Sequence, residues 1–291
     1  MNENKFKSPC VIRSLECVGL ILILIFAGWL IYGVRISAEP PVVREYSIES
    51  DKIDEPVTIV MLSDLHGCEH PTLIDQVTAI EPDLILLCGD MINHDHETGE
   101  DILVTADVVA RLAKLAPVYY SYGNHELERI GKHDPNALDS ILEAGAILLE
   151  REYVDLEING NPIRLGGIYT PNGAEVKKPD PSSASSFFKS LIDTEAFTIL
   201  MEHRPAAVTD VIDHYGWTPD LCLSGHLHGG HVILPLLGPV YGANMGLFPE
   251  HVLGRFELGD STHIVSAGLS TERHIIPRIN NPTEITKITL E

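Results

Sequence analysis

Residues 57–66 read VTIVMLSDLH, a run of β-branched and apolar residues that gives way at once to serine, aspartate and histidine. Residues 83–90, DLILLCGD, repeat the pattern. Continuous apolar runs that end this abruptly are typical of buried parallel strands. Amphipathic helical stretches at 71–80 and 101–115 alternate with these runs and with a third at 118–122. This order predicts an α/β domain that binds ligands at the carboxyl ends of its strands.

Shorter strand candidates fill the second half of the chain, at 153–158, 163–168, 197–201, 221–223, 231–234, 263–266 and 285–290. Asn159-Gly160 stands between the first two, which predicts a β-hairpin. Residues 171–186 differ in composition and are expected to form a surface loop.

Composition limits the possible functions. The 291 residues include 20 Lys and Arg against 42 Asp and Glu, a formal net charge of −22. Such a charge repels phosphate backbones, so sequence-independent nucleic-acid binding is not expected. Binding of a polyanionic substrate would require a local positive charge, such as a metal ion. Five cysteines, too few and too scattered for a disulfide framework, are expected to be free thiols.

The N-terminal region carries an uncharged run of 18 residues, CVGLILILIFAGWLIYGV at 17–34. This run just reaches the length that crosses a bilayer. The basic residues Lys5, Lys7 and Arg13 precede it, so the N-terminus is expected inside the cell and the remainder outside the cytoplasm. The predicted parts are a cytoplasmic segment at 1–16, a transmembrane helix at 17–36, a linker with an edge strand at 37–56 and a catalytic domain at 57–291.

Two other interpretations of the apolar run stay open. It can be a cleavable signal peptide, because Ile36-Ser37-Ala38 is a tolerable cleavage site. It can also be a buried core helix, although the Pro-rich linker that follows fits this poorly. Under the first interpretation the catalytic domain would be exported without an anchor.

Five polar clusters stand where the predicted strands end: Ser63-Asp64-Leu65-His66, Gly89-Asp90, Gly123-Asn124-His125-Glu126, Glu202-His203-Arg204 and Gly225-His226-Leu227-His228. Aspartate, histidine and asparagine offer oxygen and imidazole donors without thiolates. This set suits Mn, Fe, Zn or Mg. Two metals are the natural number, because one carboxylate can bridge a pair and the other donors then divide into two sets.

The order Asp-x-His, Gly-Asp, Gly-Asn-His-Glu, a lone His and Gly-His-x-His resembles the calcineurin-like metallophosphoesterase superfamily, over about 57–290. The resemblance implies a four-layer αββα sandwich of two mixed β-sheets flanked by helices. The anchor, Gly238-Pro239 and two later motifs, at 246–249 and 266–269, are similar to the membrane-associated, YkuE-like bacterial branch. His231 and Cys88 depart from that branch, where glutamine and threonine are frequent.

The resemblance also implies roles for individual residues. Asp64, His66 and His228 would hold one metal, Asn124, His203 and His226 the other, and Asp90 would bridge them. His125 would be the catalytic histidine that is not a ligand. A hydroxide shared by the metals would attack phosphorus. His125 would stabilise the phosphoryl charge or protonate the leaving oxygen, with Asp64 or Glu126 orienting its ring.

Other residues near these clusters have alternative interpretations. His94, Asp95 and His96 either lie at the mouth of the site or form a solvated loop. His231 either lines the pocket or packs in a strand. Cys68 and Cys88 are expected to be packing residues rather than ligands. Arg204 contributes either to a phosphoryl pocket or to a surface salt bridge.

The leading functional prediction is a membrane-anchored two-metal phosphoesterase that acts on a phosphomonoester, phosphodiester or pyrophosphate. A lipid-precursor pyrophosphatase, cleaving a nucleotide-activated acyl sugar, is the specific alternative. A non-catalytic metal-binding scaffold is an alternative of another class, and metal-dependent hydrolysis of a carbon centre fits the motif order badly. No protein partner is implied.

Overall fold

The computed structural model describes residues 9–95, 98–170, 184–242, 246–271 and 277–291. Most of the predicted loop at 171–186 lies outside these residues, as does His96. The helices are α1 Pro9–Ser37, α2 Leu73–Ile80, α3 Glu100–Leu112, α4 Asn124–Lys132, α5 Asp139–Glu143, α6 Ala184–Ile192 and α7 Pro205–Tyr215.

The first large sheet contains six strands in the order β1-β15-β2-β3-β4-β5. Their bounds are β1 Val42–Ile48, β2 Val57–Leu62, β3 Leu84–Cys88, β4 Val118–Ser121, β5 Ala146–Leu148 and β15 Glu284–Leu290. Neighbours from β2 to β5 are parallel, whereas β15 is antiparallel to β2 and parallel to β1. The edge strand predicted inside the linker is β1.

The second large sheet has the order β13-β14-β9-β8-β7-β6, and a small third sheet has the order β10-β11-β12. The strands of the second are β6 Glu152–Ile158, β7 Asn161–Ile168, β8 Phe197–Glu202, β9 Leu221–Ser224, β13 Gly254–Leu258 and β14 Ser261–Val265. Those of the third are β10 Val232–Leu234, β11 Gly238–Gly242 and β12 Gly246–Leu247. Asn159 and Gly160 connect β6 and β7 with φ values of 53° and 83°, as a type I′ hairpin turn requires.

Alternate residues of β2 build two different cores. Ile59 and Met61 pack between the two large sheets, whereas Val60 and Leu62 pack under α2, α3 and α5. This follows from the two-residue period of a strand that is buried on both faces. On the outer face of the second sheet, a third core joins Leu200 and Cys222 to α6 and α7. The predicted four-layer αββα sandwich is therefore confirmed.

The helix α1 contains one segment, Glu16–Ser37, that is long and apolar enough to cross a membrane, with a mean hydropathy of 2.5. Only 6% of its most apolar part is buried, so this part of the helix is not a core helix of the fold. Its last turn does contact the domain. Gly33 accepts a hydrogen bond at its carbonyl from the Asn280 N–H (3.0 Å), and the Ser37 hydroxyl accepts one from the Asn281 N–H (2.9 Å).

Candidate metal centre

The predicted site residues follow parallel strands whose carboxyl ends meet. The ends of β2 and β3 are held together beyond the strands, because Asp64 and His66 donate backbone hydrogen bonds to the carbonyls of Gly89 and Asp90 (3.0 and 3.1 Å). The second sheet joins this edge through His203, whose Nδ1 lies 2.7 Å from the Cys88 carbonyl oxygen. Residues far apart in the sequence therefore converge on one edge of the sandwich.

Five of the eight predicted site residues have a left-handed backbone, with φ between 49° and 72°: Asp64, His66, Asp90, His226 and His228. Residues with a Cβ rarely adopt this conformation, and each instance costs on the order of 1 kcal/mol or more. The turns are also tight. A Cβ on Gly123 would overlap the Asp90 carboxylate, and one on Gly225 would overlap that of Asp64, so both motif glycines are needed for the close approach.

One group of candidate ligands consists of Asp64, His66 and His228, with one donor atom from each within 4.8 Å of the others. Nδ1 of His66 lies 2.8 Å from the amide oxygen of Asn93, which fixes the ring so that Nε2 faces the site. The Asp64 carboxylate accepts hydrogen bonds from the Ser63 hydroxyl (2.7 Å) and the His226 N–H (3.0 Å).

A second group consists of Asp90, His203 and His226 under the same distance limit. Oδ2 of Asp90 lies 3.0 Å from Nε2 of His203 and 3.9 Å from Nε2 of His66, a member of the first group. Asp90 is 2% exposed. Its carboxylate therefore lies between the two groups, where a bridging ligand is expected.

The buried side-chain atoms that lack a hydrogen-bond partner within the described structure include Nε2 of His66, Nε2 of His203 and Oδ1 of Asn124. A buried polar atom without a partner is costly, and each of these three is a lone-pair donor that a divalent cation accepts. Asn124 lies between Gly123 and His125, both of which adjoin the Asp90 carboxylate. The residues present therefore fit a pair of metal ions.

Comparison with known proteins agrees with this geometry. The family description "Calcineurin-like phosphoesterase" matches residues 57–230, which include all eight predicted site residues. This chain is a member of the calcineurin-like phosphoesterase family. It is accordingly a hydrolase that acts on phosphoester bonds.

Relatives of this phosphoesterase are found in bacteria. It is 29% identical over 274 residues to the uncharacterized metallophosphoesterase YkuE of Bacillus subtilis, covering 89% of this chain and 90% of the relative. It is 28% identical over 190 residues to phosphodiesterase YaeI of Escherichia coli, covering 63% and 64%. Among solved structures, purple acid phosphatase PPD1 from yellow lupin has a TM-score of 0.48 at 12% identity, covering 82% of this chain and 50% of that one.

The histidines of the phosphoesterase site differ in pKa because their electrostatic surroundings differ. Burial alone lowers the pKa of His203, but the carboxylates of Asp90 and Asp64 outweigh it and raise that pKa to about 10. Burial lowers the pKa of His226 to about 3 and that of His125 to about 4. His226 and His125 are thus neutral at pH 7, whereas His203 carries a proton that a metal would displace.

The ring of His125 is positioned by His94, not by Asp64 or Glu126 as the sequence suggested. The His94 N–H donates to Nδ1 of His125 (3.2 Å), and the two rings pack edge to face 4.6 Å apart. Nε2 of His125 then lies 3.9 Å from Oδ2 of Asp90. Of the two interpretations of His94, the structure favours the mouth of the site.

Glu126 instead organises the backbone around the bridging position. Its carboxylate accepts hydrogen bonds from the N–H groups of Asp90 (2.9 Å), Met91 (2.7 Å) and Gly123 (2.7 Å), and from the hydroxyl of Tyr120 (2.7 Å). These bonds tie the ends of β3 and β4 together. The sequence shows Glu126 as part of a motif but gives no sign of this role.

The remaining candidates are placed as follows. Cys88 is buried in β3, where burial raises the pKa of its thiol, and only its carbonyl contacts a site residue. Cys68 accepts a weak hydrogen bond from the Thr271 N–H (3.5 Å). Arg204 donates to the Thr170 carbonyl (3.4 Å), next to residues that lie outside the described structure, so both interpretations of Arg204 stay predictions. His231 is 3% exposed and pairs through its backbone with Tyr241 and Ile279.

Two residues that support the ligand candidates were not predicted from the sequence, Asn93 beside His66 and Asn281. Asn281 is fully buried, and its amide donates to the carbonyls of His228 (2.8 Å) and Gly230. It therefore holds the loop that carries the His228 ligand candidate. Nothing in the sequence signals this, because 53 residues separate Asn281 from His228 and only the fold brings them together.

Proposed function

We propose that this phosphoesterase is a membrane-anchored, two-metal hydrolase of a phosphomonoester, phosphodiester or pyrophosphate bond. The single observation that carries the two-metal assignment is the position of Asp90. Its carboxylate stands 3.0 Å from His203 in one ligand group and 3.9 Å from His66 in the other.

In this proposal the ligands divide as the two groups do. Asp64, His66 and His228 hold one cation, and Asn124, His203 and His226 hold the other. Asp90 bridges them, because a carboxylate can offer one oxygen to each of two cations. The set contains only nitrogen and oxygen donors, which suits Mn, Fe, Zn or Mg.

The two cations would supply a hydroxide near neutral pH for attack on phosphorus and would polarise the phosphoryl oxygens. The chain itself adds His125, which is neutral and whose Nδ1 accepts the His94 N–H, so that Nε2 carries the ring's proton. This Nε2–H can donate to a phosphoryl or leaving oxygen. Arg204 can add a fixed positive charge beside His203.

The membrane part of the proposal rests on α1. Its segment Glu16–Ser37 has the length and hydropathy of a bilayer span, and most of its large apolar side chains between Val18 and Val34 are exposed. Basic residues before the span favour a catalytic domain outside the cytoplasm. Hydrogen bonds from Asn280 and Asn281 to the last helical turn support a retained helix over a cleaved one.

The test is turnover by the full chain in detergent, stripped of metal by a chelator and resupplied with Mn, Fe, Zn or Mg. The substrates are p-nitrophenyl phosphate and bis(p-nitrophenyl) phosphate. Asp90→Asn should lose bound metal and turnover together, since it removes the bridging charge while keeping an oxygen for the His125 N–H. Asp107→Asn, an exposed carboxylate on α3, is the matched control. Full activity of Asp90→Asn would refute the two-metal site.

A lipid-precursor pyrophosphatase is favoured by one observation. Asn281 bonds both the end of α1 and the loop of His228, so the centre lies close to where the helix leaves the bilayer. This candidate predicts faster cleavage of a nucleotide-activated acyl sugar than of the same compound without its acyl chain. Equal rates would favour a soluble substrate. Two bound metals without turnover of any ester would instead support the scaffold alternative.

A further inference from the structure

The small sheet β10–β12 carries two of the most exposed apolar side chains of the described domain, Leu247 (73% exposed) and Phe248 (64% exposed). Isolated exposed apolar residues are ordinary, but adjacent large ones mark contact surfaces. Their position relative to α1 identifies what they contact.

Residues 280–283, which form hydrogen bonds with the end of α1 and with the start of β1, run in the same direction as the helix. Gly33 pairs with Asn280, Ser37 with Asn281 and Val42 with Thr283, in rising order on both sides. A helix that leaves the bilayer in its last turn points away from it, so the segment from Ile279 onward, which bonds that turn, also points away. Trp29 and Tyr32, one turn earlier, suit the interfacial region.

Strand β10 pairs in parallel with this segment through Val232 and Ile279. Val232 in turn stands opposite Tyr241 of β11, and Tyr241 opposite Leu247 of β12. Residues paired across strands lie in one row perpendicular to the strands, with about 4.8 Å between neighbours. Leu247 therefore lies about 14 Å to the side of Ile279, at the level of the helix exit.

We propose that Leu247 and Phe248 insert into the same face of the bilayer that α1 leaves, so that sheet β10–β12 is a second lipid contact. This inference rests on the anchoring part of the proposed function. With a formal net charge of −22 on the chain, attraction to anionic headgroups does not favour the contact, and apolar burial has to supply it. The two contacts together fix the rim of the metal centre against the membrane.

The same sheet provides an internal control. Leu236 and Leu237, in the turn between β10 and β11, are also exposed. The Leu237 N–H donates to the Leu234 carbonyl (3.2 Å), so this turn lies about two strand residues, or roughly 7 Å, beyond Val232 in the direction that points away from the helix exit. The proposal therefore places Leu237 in water and Leu247 in lipid, although both are exposed leucines of one small sheet.

The experiment uses tryptophan fluorescence of the full chain in phosphatidylcholine vesicles, with and without bromine at carbons 6 and 7 of the acyl chain. Leu247→Trp and Leu237→Trp are each compared with the parent protein. Turnover of p-nitrophenyl phosphate verifies that both variants are folded. The emission added at 247 should be strongly quenched by bromine, and that added at 237 should not be.

Every other outcome contradicts a specific part of the proposal. If the emission at 247 is unquenched while the native Trp29 in α1 is quenched, the second lipid contact does not exist but the anchor does. If both 247 and 237 are quenched, the orientation is wrong. If Trp29 itself is unquenched, the anchor of the proposed function fails and this inference fails with it.

Discussion

Nε2 of His203 and Oδ2 of Asp90 lie 3.0 Å apart, as a close ion pair. Both side chains are almost completely buried. The carboxylates of Asp90 and Asp64 overcome the effect of burial and raise the pKa of His203 to about 10. Without a metal, this histidine is therefore an imidazolium that partly neutralises two buried carboxylates.

Metal binding should consequently release protons. Ligation requires a bare Nε2 on His203, so at pH 7.5 about one proton per chain should leave the site from this residue. His226, whose pKa is lowered to about 3, is already neutral and contributes none. Calorimetric titration of metal in two buffers of different ionisation enthalpy measures the release. A binding enthalpy that is the same in both buffers would contradict the assignment.

His125→Ala should keep both metals while losing activity. General acid–base groups contribute about 10²–10⁴-fold to turnover, and we expect a loss in that range. Metal analysis and kcat of the same preparation check this. His94→Ala is the matched variant: it removes the packing ring but keeps the backbone N–H that bonds His125, so its loss of turnover should be smaller. Loss of metal from His125→Ala would make His125 a ligand.

Glu126→Gln should destabilise the fold. The carboxylate accepts five hydrogen bonds, the fifth from the Ile92 N–H (3.3 Å), and a buried amide would turn its NH₂ group toward N–H donors. A decrease in the free energy of unfolding of about 2–4 kcal/mol is expected, from urea denaturation of the detergent-solubilised chain. Glu128→Gln, on the same helix and more exposed, should change it by less than about 0.5 kcal/mol. Equal stabilities of the two variants would show that Glu126 does not hold the strand ends together.

His263 should make the fold sensitive to mild acid. Burial lowers the pKa of this histidine to about 3, against about 6.5 when it is unfolded. Below pH 6.5 the unfolded chain binds a proton on His263 that the folded chain does not. The free energy of unfolding therefore decreases as the pH falls from 6.5 toward 3 and does not depend on this residue above that range. At pH 5 the loss from this residue is about 2 kcal/mol.

Thermal unfolding between pH 7.5 and 5 in excess chelator measures the His263 effect without contributions from metal loss. His263→Gln, which cannot be charged, should lose less stability over this range than the parent chain. Equal losses of stability in the two proteins between pH 7.5 and 5 would contradict the predicted effect of His263.

The sequence predicts much of the sandwich because β2, β3 and β8 are largely apolar strands that are buried on both faces. It also predicts which residues converge, since every ligand candidate lies within four residues after the end of a buried strand. The small sheet was only partly predicted: β10 was expected, but β11 and β12 are short and contain three glycines, so their pairing depends on tertiary contacts.

The contacts around the site were not predicted either, because they also depend on tertiary structure. Neither the contact of His94 with His125 nor that of Asn281 with the His228 loop has a local pattern. Both arise when distant turns meet, and the assignment of Glu126 to the His125 ring was wrong because a short motif does not show which way a side chain points.

The pairing of β1 with β15 has a consequence for biogenesis. Arg44 and Glu284, which form an ion pair, are 240 residues apart, and β15 lies between β1 and β2 in the sheet. The first strand after α1 thus has no neighbour until residues 284–290 have been synthesised. Nearly the whole chain must therefore be synthesised before this sheet is complete, so β1 stays unpaired during most of synthesis.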